Sequence, residues 1–97
     1  MSVIVVVQGN PNPAESGQLL EYQRAAGPII AKHRGQVLAR GAGVRSIAGS
    51  GRWQTGIVLR FPDEASVEAW HSDPAYQQIV PLRSSGYSEL EIHVFRE

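Results

Sequence analysis

Residues 3–7, Val-Ile-Val-Val-Val, and residues 57–59, Ile-Val-Leu, are apolar at every consecutive position. Successive side chains of a strand point to opposite faces, so an unbroken apolar run describes a strand covered on both sides. The rest of the chain must supply that cover, and it has few elements with which to do so.

The first run ends at Gly9 and meets Asn10-Pro11-Asn12-Pro13. A helix can start there, with Asn12 as its cap, Pro13 at its first position and Glu15 at its third closing a capping box. Placed at about 100° per residue, Leu19, Tyr22, Gln23, Ala26, Ile29, Ile30 and His33 share a stripe about 120° wide, the width of a core-facing surface. Glu21, Arg24, Pro28 and Lys32 fall opposite, so the bend expected at Pro28 lies on the solvent side. The spacing predicts a helix to about Arg34, with Gly35 as its stop.

Gln36 to about Ile47 reads as extended, and Gly41 and Gly43 inside it suggest a bulge or a close approach by another group. Gly49-Ser50-Gly51 makes a turn. A strand from Arg52 to Phe61 follows. Asp63 caps a second helix with Val67 and Trp70 facing inward. Ser72-Asp73-Pro74 breaks and restarts that helix, with Asp73 capping and Pro74 first, and Gly86 ends it. Leu90, Ile92 and Val94 then alternate with Glu91, His93 and Phe95, the period of a strand.

The order is βαββαβ. It suits an α+β, ferredoxin-like arrangement: a four-stranded antiparallel sheet with two helices on one face. Two helices leave the other face bare, although the first and third strands are apolar there too. An apolar patch of that extent marks an interface, so a second copy stacked face to face, a homodimer, is expected.

Ninety-seven residues make a single domain, 1–97. Nine Lys and Arg balance nine Asp and Glu, and the basic residues are scattered. Nothing gathers the positive field that holds a polyanion, so no nucleic-acid partner is expected. Absence of cysteine excludes disulfides, thiolate metal sites and thiol catalysis. The apolar start lacks a basic n-region and is far too short to span a bilayer. No membrane association is expected, and the cytoplasm is the expected compartment.

Tyr22, His33 before Gly35, Leu38-Ala39-Arg40-Gly41, Phe61-Pro62, Trp70, and Ser72 to Gln77 leading to Pro81-Leu82-Arg83 form a recognisable combination. Through them the chain resembles the domain-of-unknown-function family 1330, in the dimeric α+β barrel (ferredoxin-like) superfamily. Ala42 stands where the pattern has a second glycine, and His71 where an aromatic follows the tryptophan. The resemblance implies the fold and dimerisation. It only hints at chemistry, because wider relatives include cofactor-free monooxygenases, lactone isomerases and haem-handling enzymes.

Candidate site residues follow from residue chemistry. His33, amid the apolar stripe, titrates near neutrality when unperturbed and is a candidate general base; a satisfied core-edge histidine bonded to backbone is its ordinary role. Arg40, on a strand between glycines, can anchor a carboxylate or enolate, or serve an ion pair. Trp70 offers an apolar wall and Tyr76 a proton-transferring hydroxyl, although aromatics more often fill cores. Tyr22 and Arg83 complete the candidate binding set, Arg83 being ordinarily a helix-end charge on free carbonyls. The catalytic candidates are thus His33 and Tyr76, and the substrate-binding ones Arg40, Trp70, Tyr22 and Arg83. His33, His71 and His93 lack ligand spacing, so no metal is expected. There is no serine elbow and no dinucleotide fingerprint, so no cofactor is expected.

Two functions fit. One is a cofactor-independent pocket between sheet and helices that binds or transforms a small organic acid, quinone or lactone. The other is a non-catalytic dimeric accessory or regulatory module in which the same side chains merely pack. An enclosed cavity lined by Arg40, His33 and Tyr76 separates them.

Overall fold

A computed structural model describes all 97 residues. Strand β1 covers Val3–Pro11, helix α1 Ser16–Lys32, β2 Gln36–Ala42, β3 Thr55–Phe61, α2 Glu64–Ser72, α3 Pro74–Gly86 and β4 Tyr87–Arg96. The sheet order is β2-β3-β1-β4, and β1–β3, β1–β4 and β2–β3 all pair antiparallel. This is the expected ferredoxin-like α+β architecture.

Register separates the two faces. Val3, Val5 and Val7 of β1 lie opposite Phe61, Leu59 and Ile57 of β3, on the face that the helices cover. Val3, Val5, Leu59 and Phe61 are buried there with Ala26 of α1, Val67 and Trp70 of α2 and Tyr76 of α3. The alternate residues Ile4 and Val6, Val58 across from Val6, and Phe95 across from Ile4 share the other face. No element of this chain covers it, and Phe95 is 55% exposed. Around it Arg60 forms an ion pair with Glu97 and His93 a hydrogen bond with Glu91, each at 2.8 Å. The first strand is therefore buried on one face only within a single copy.

Helix ends depart from the sequence reading in instructive ways. Asn12 does cap, accepting from the Ala14 N–H at 3.1 Å, but a short 3-10 turn over Pro13–Glu15 precedes α1. The capping box does not form, because the Glu15 carboxylate takes the Gln18 amide instead. At the other end Arg34, not Gly35, adopts the left-handed conformation, with φ 64°. Gly35 is needed for space: a Cβ there would lie 2.6 Å from Ile30 Cγ2 and 2.7 Å from Phe61 Cζ. Asp63 and Asp73 cap α2 and α3 as expected, accepting from the Ser66 and Ala75 N–H groups.

Strand β2 stops at Ala42 rather than Ile47, and β3 begins at Thr55 rather than Arg52. Val44 and Ile47, 93% and 91% exposed, have no partner strand and belong to the connecting loop. The irregularity in β2 falls between Val37 and Ala39, ahead of both glycines. Gly43 instead allows a close backbone approach, since a Cβ there would sit 1.7 Å from the Trp53 carbonyl oxygen.

Candidate functional site

Helix α1 turns one stripe towards the sheet, and between the two remains a cavity of about 260 Å³. Its wall comprises Tyr22, Gln23, Ala26, Gly27, Ile30 and Ala31 from α1, apolar residues of all four strands, Trp70 of α2, Gly35, Arg40 and Tyr87. None of the lining residues is Asp, Glu, His, Lys or Cys. Arg40 pairs with Ile57 in register, which turns it to the helix side of β2, and it is exposed at the rim.

Three sequence-selected residues, Tyr22, Arg40 and Trp70, thus meet in one cavity. Tyr76 does not line it. That residue is 0% exposed and stands behind Tyr22, their hydroxyl oxygens 2.7 Å apart. Arg83 Nη1 donates to the Tyr76 oxygen at 3.1 Å. Its guanidinium therefore serves a buried phenol rather than free helix carbonyls, contrary to its ordinary role.

Trp70 is held by aromatic neighbours: Phe61 stacks at 5.4 Å between centroids and Tyr76 tilts against it at 4.9 Å. Although only 3% exposed, its Nε1–H has no hydrogen-bond partner in the protein. Such a donor costs about 1–3 kcal/mol. Burial, followed by neighbouring Tyr76, pushes the Tyr22 phenol far above its ordinary pKa. Burial likewise raises that of Tyr87. Both cavity phenols remain protonated at physiological pH.

His33 lies elsewhere. As the C-cap of α1 it places Nε2 2.8 Å from the Asp73 carboxylate, which also accepts from Lys32 Nζ at 3.0 Å. Its partner is this side chain rather than the expected backbone group. The same carboxylate caps α3, so it ties the break between α2 and α3 to the end of α1. The expected convergence of His33 and Tyr76 on one ligand with Arg40 and Trp70 is not observed. The histidines stay apart, and no group of three or more His, Asp or Glu side chains is placed to share a metal ion.

Hydrogen bonds from His33, Lys32 and the Ala75 N–H hold the Asp73 carboxyl well below the usual carboxylate range. A depressed folded pKa stabilises fully above the unfolded value, about 3.9, and the effect fades as pH falls through the folded one. Asp73→Asn is therefore expected to lower stability at pH 6, with the gap to wild type narrowing below about pH 4, where the unfolded carboxyl protonates. Urea unfolding from pH 6 to 2 measures it, and a pH-independent gap would refute the linkage.

Gln23, Ile30, Val37, Tyr87, Leu90 and Ile92 were not singled out as site residues. Only the alternation of Leu90 with Ile92 and the stripe position of Gln23 and Ile30 pointed inward, and inward positions ordinarily mean core.

The comparisons with known proteins agree with the fold. The family model described as "Domain of unknown function (DUF1330)" matches residues 6–96. The chain belongs to that family. Among solved structures it is similar to a protein of unknown function from Rhodopseudomonas palustris, with TM-score 0.86, 16% identity and coverage of 99% of this chain and 82% of that one. It is also similar to a dimeric ferredoxin-like protein of unknown function from Jannaschia sp. CCS1, with TM-score 0.76 and 12% identity over 100% of both chains. A DABB-family protein with a ferredoxin-like fold from Mesorhizobium loti matches with TM-score 0.66, 15% identity and coverage of 99% and 96%. No curated protein matches this DUF1330 chain, and none of its helices is long and apolar enough to cross a membrane.

Proposed function

We propose that the protein is a cytoplasmic homodimer, stacked through its open sheet faces, in which each subunit's cavity binds one small, mostly apolar organic molecule without a cofactor. The observation that carries the ligand reading is the mostly apolar cavity between α1 and the sheet, walled by Tyr22, Trp70 and Tyr87 and with Arg40 among its lining residues. At about 260 Å³ the cavity lies between one of ~150 Å³ that holds benzene and the ~300–1,000 Å³ that drug-sized ligands occupy. One substituted ring fits.

Arg40 at the rim suits an anionic or electron-rich substituent. Without a carboxylate or imidazole in the wall, the geometry favours binding over general-base catalysis, and His33 takes no part. Dimerisation is supported by the bare apolar strip Ile4, Val6, Val58 and Phe95 and by relatives described as dimeric.

A thermal-shift screen of single-ring acids, lactones and quinones tests the ligand reading. A ligand at a hundred times its Kd stabilises by about 2.7 kcal/mol. Gly27 lines the cavity, and a Cβ added to it meets nothing within 4 Å. Gly27→Leu should therefore occupy the space and gain up to about 1 kcal/mol of helix propensity, while abolishing the ligand shift. A shift that survives Gly27→Leu, or none across the screen, overturns the reading.

A further inference from the structure

Gly41 of β2 pairs with Gly56 of β3, although nothing inside the chain requires a glycine at either place. Glycine weakens a strand, through its entropy and by leaving nothing to pack. Neither residue has the left-handed backbone that favours glycine, and a Cβ added to either meets nothing within 4 Å. Gly56 also pairs with Gln8, and Gln8 with Glu91. This row therefore lies on the bare face, two residues along from Val6. There the glycines line an open hollow of about 770 Å³ with Trp53 in its wall. Glycine inside a strand marks a place that another group approaches closely. No group of this chain does so here.

Phe95, on the same face, is 55% exposed. It stands at the opposite corner: on edge strand β4 in the row of Ile4, whereas Gly41 is on edge strand β2 in the row of Gln8. Midway between the two corners lies the Val6–Val58 pair of the central strands. We infer that Phe95 of each copy enters the Gly41–Gly56 hollow of a second copy, about a twofold axis that passes over Val6 and Val58. The inference rests on the face-to-face dimer proposed above and adds its register. The corners are about 14 Å apart both across and along the strands. An axis that exchanges them runs at about 45° to the strands, so the sheets cross near 90°, one of the two common sheet packings. Strands of seven to ten residues give a face on the order of 500 Å² per copy in projection. Pleating and protruding side chains raise its accessible area towards the ~600 Å² per partner of the smallest stable interfaces.

Gly56→Leu and Phe95→Ala test the register by sedimentation equilibrium, with circular dichroism as the check on folding. Both should keep the fold, because the first adds a side chain in open space and the second trims an exposed one. Each alone should weaken the homodimer about tenfold or more, the loss expected at an anchor residue. Mixed in equal amounts, the two variants should form a heterodimer tighter than either homodimer. In it the truncated residue 95 faces the filled hollow, and the remaining Phe95 enters the remaining native hollow. Should Gly56→Leu not fold, Gly41→Leu on the edge strand replaces it in the mixture. Losses with no recovery on mixing overturn the inference. So does a Gly56→Leu dimer as tight as wild type, which would leave the hollow to another occupant. In both cases a monomeric Val6→Asp keeps the face-to-face stacking without this register. A wild type that is monomeric at micromolar concentration overturns the two together.

Discussion

Val6→Asp is expected to convert the protein from a dimer to a folded monomer, whereas Val5→Asp should leave it unfolded. The two positions are adjacent in sequence and opposite in space. Val5 is 0% exposed and packed among the helix-facing core. A carboxylate there would lose its hydration with no partner, a penalty of at least several kcal/mol against a total stability of about 5–15 kcal/mol. Val6 lies on the bare face opposite Val58 and His93. A carboxylate there stays hydrated in the single copy and is desolvated only when a second sheet closes over it. A stable specific interface buries about 1,200 Å² or more, and an unpaired charge at its centre should shift dissociation by orders of magnitude. Sedimentation equilibrium with circular dichroism measures both variants. A wild type that is monomeric at micromolar concentration, or a dimeric Val6→Asp, would defeat the proposed stacking.

Trp70→Ala should remove about 3–5 kcal/mol, the range for truncating a buried aromatic. For a domain of this size that corresponds to a melting temperature lower by roughly 12–40 °C. The loss follows from what the indole touches: it is stacked on Phe61, tilted against Tyr76 and edged by His71. Trp70→Phe keeps much of that packing and deletes the unpartnered N–H. It should therefore cost far less. Thermal unfolding of the pair separates the packing of the ring from the contribution of the N–H. If Trp70→Phe destabilised as much as Trp70→Ala, the N–H would have an unrecognised structural partner.

Legibility from the sequence followed the range of the interactions concerned. The caps at Asn12, Asp63 and Asp73 were readable because a side chain and an N–H two or three residues away decide them. The strand ends were not. Residues 43–47 are as apolar as many strand segments, yet β2 ends at Ala42 because pairing partners, not composition, define a strand. Gly35 stands at the helix stop while the left-handed residue is Arg34, since the sequence shows where a glycine stands but not whether φ or a neighbour such as Phe61 requires it.

The site divides in the same way. Tyr22, Arg40 and Trp70 could be chosen for their chemistry, and they do share a wall. His33 was placed with them because it lies on the same helical stripe, but the stripe carries it past the cavity to Asp73, forty residues on in sequence. Nothing local announces that pair, nor the Arg83–Tyr76–Tyr22 relay.

By itself, then, the sequence determined the order βαββαβ, the sheet with a bare apolar face and the absence of thiol chemistry. Each of these follows from periodicity, capping or composition, which act over a few residues. Only the tertiary structure decided which buried groups find partners, joining His33 to Asp73 and Arg83 to Tyr76 and leaving Trp70 Nε1–H without one. That outcome depends on side chains brought within about 3 Å of one another from distant segments, a distance over which hydrogen bonds form and about which spacing along the chain carries no information.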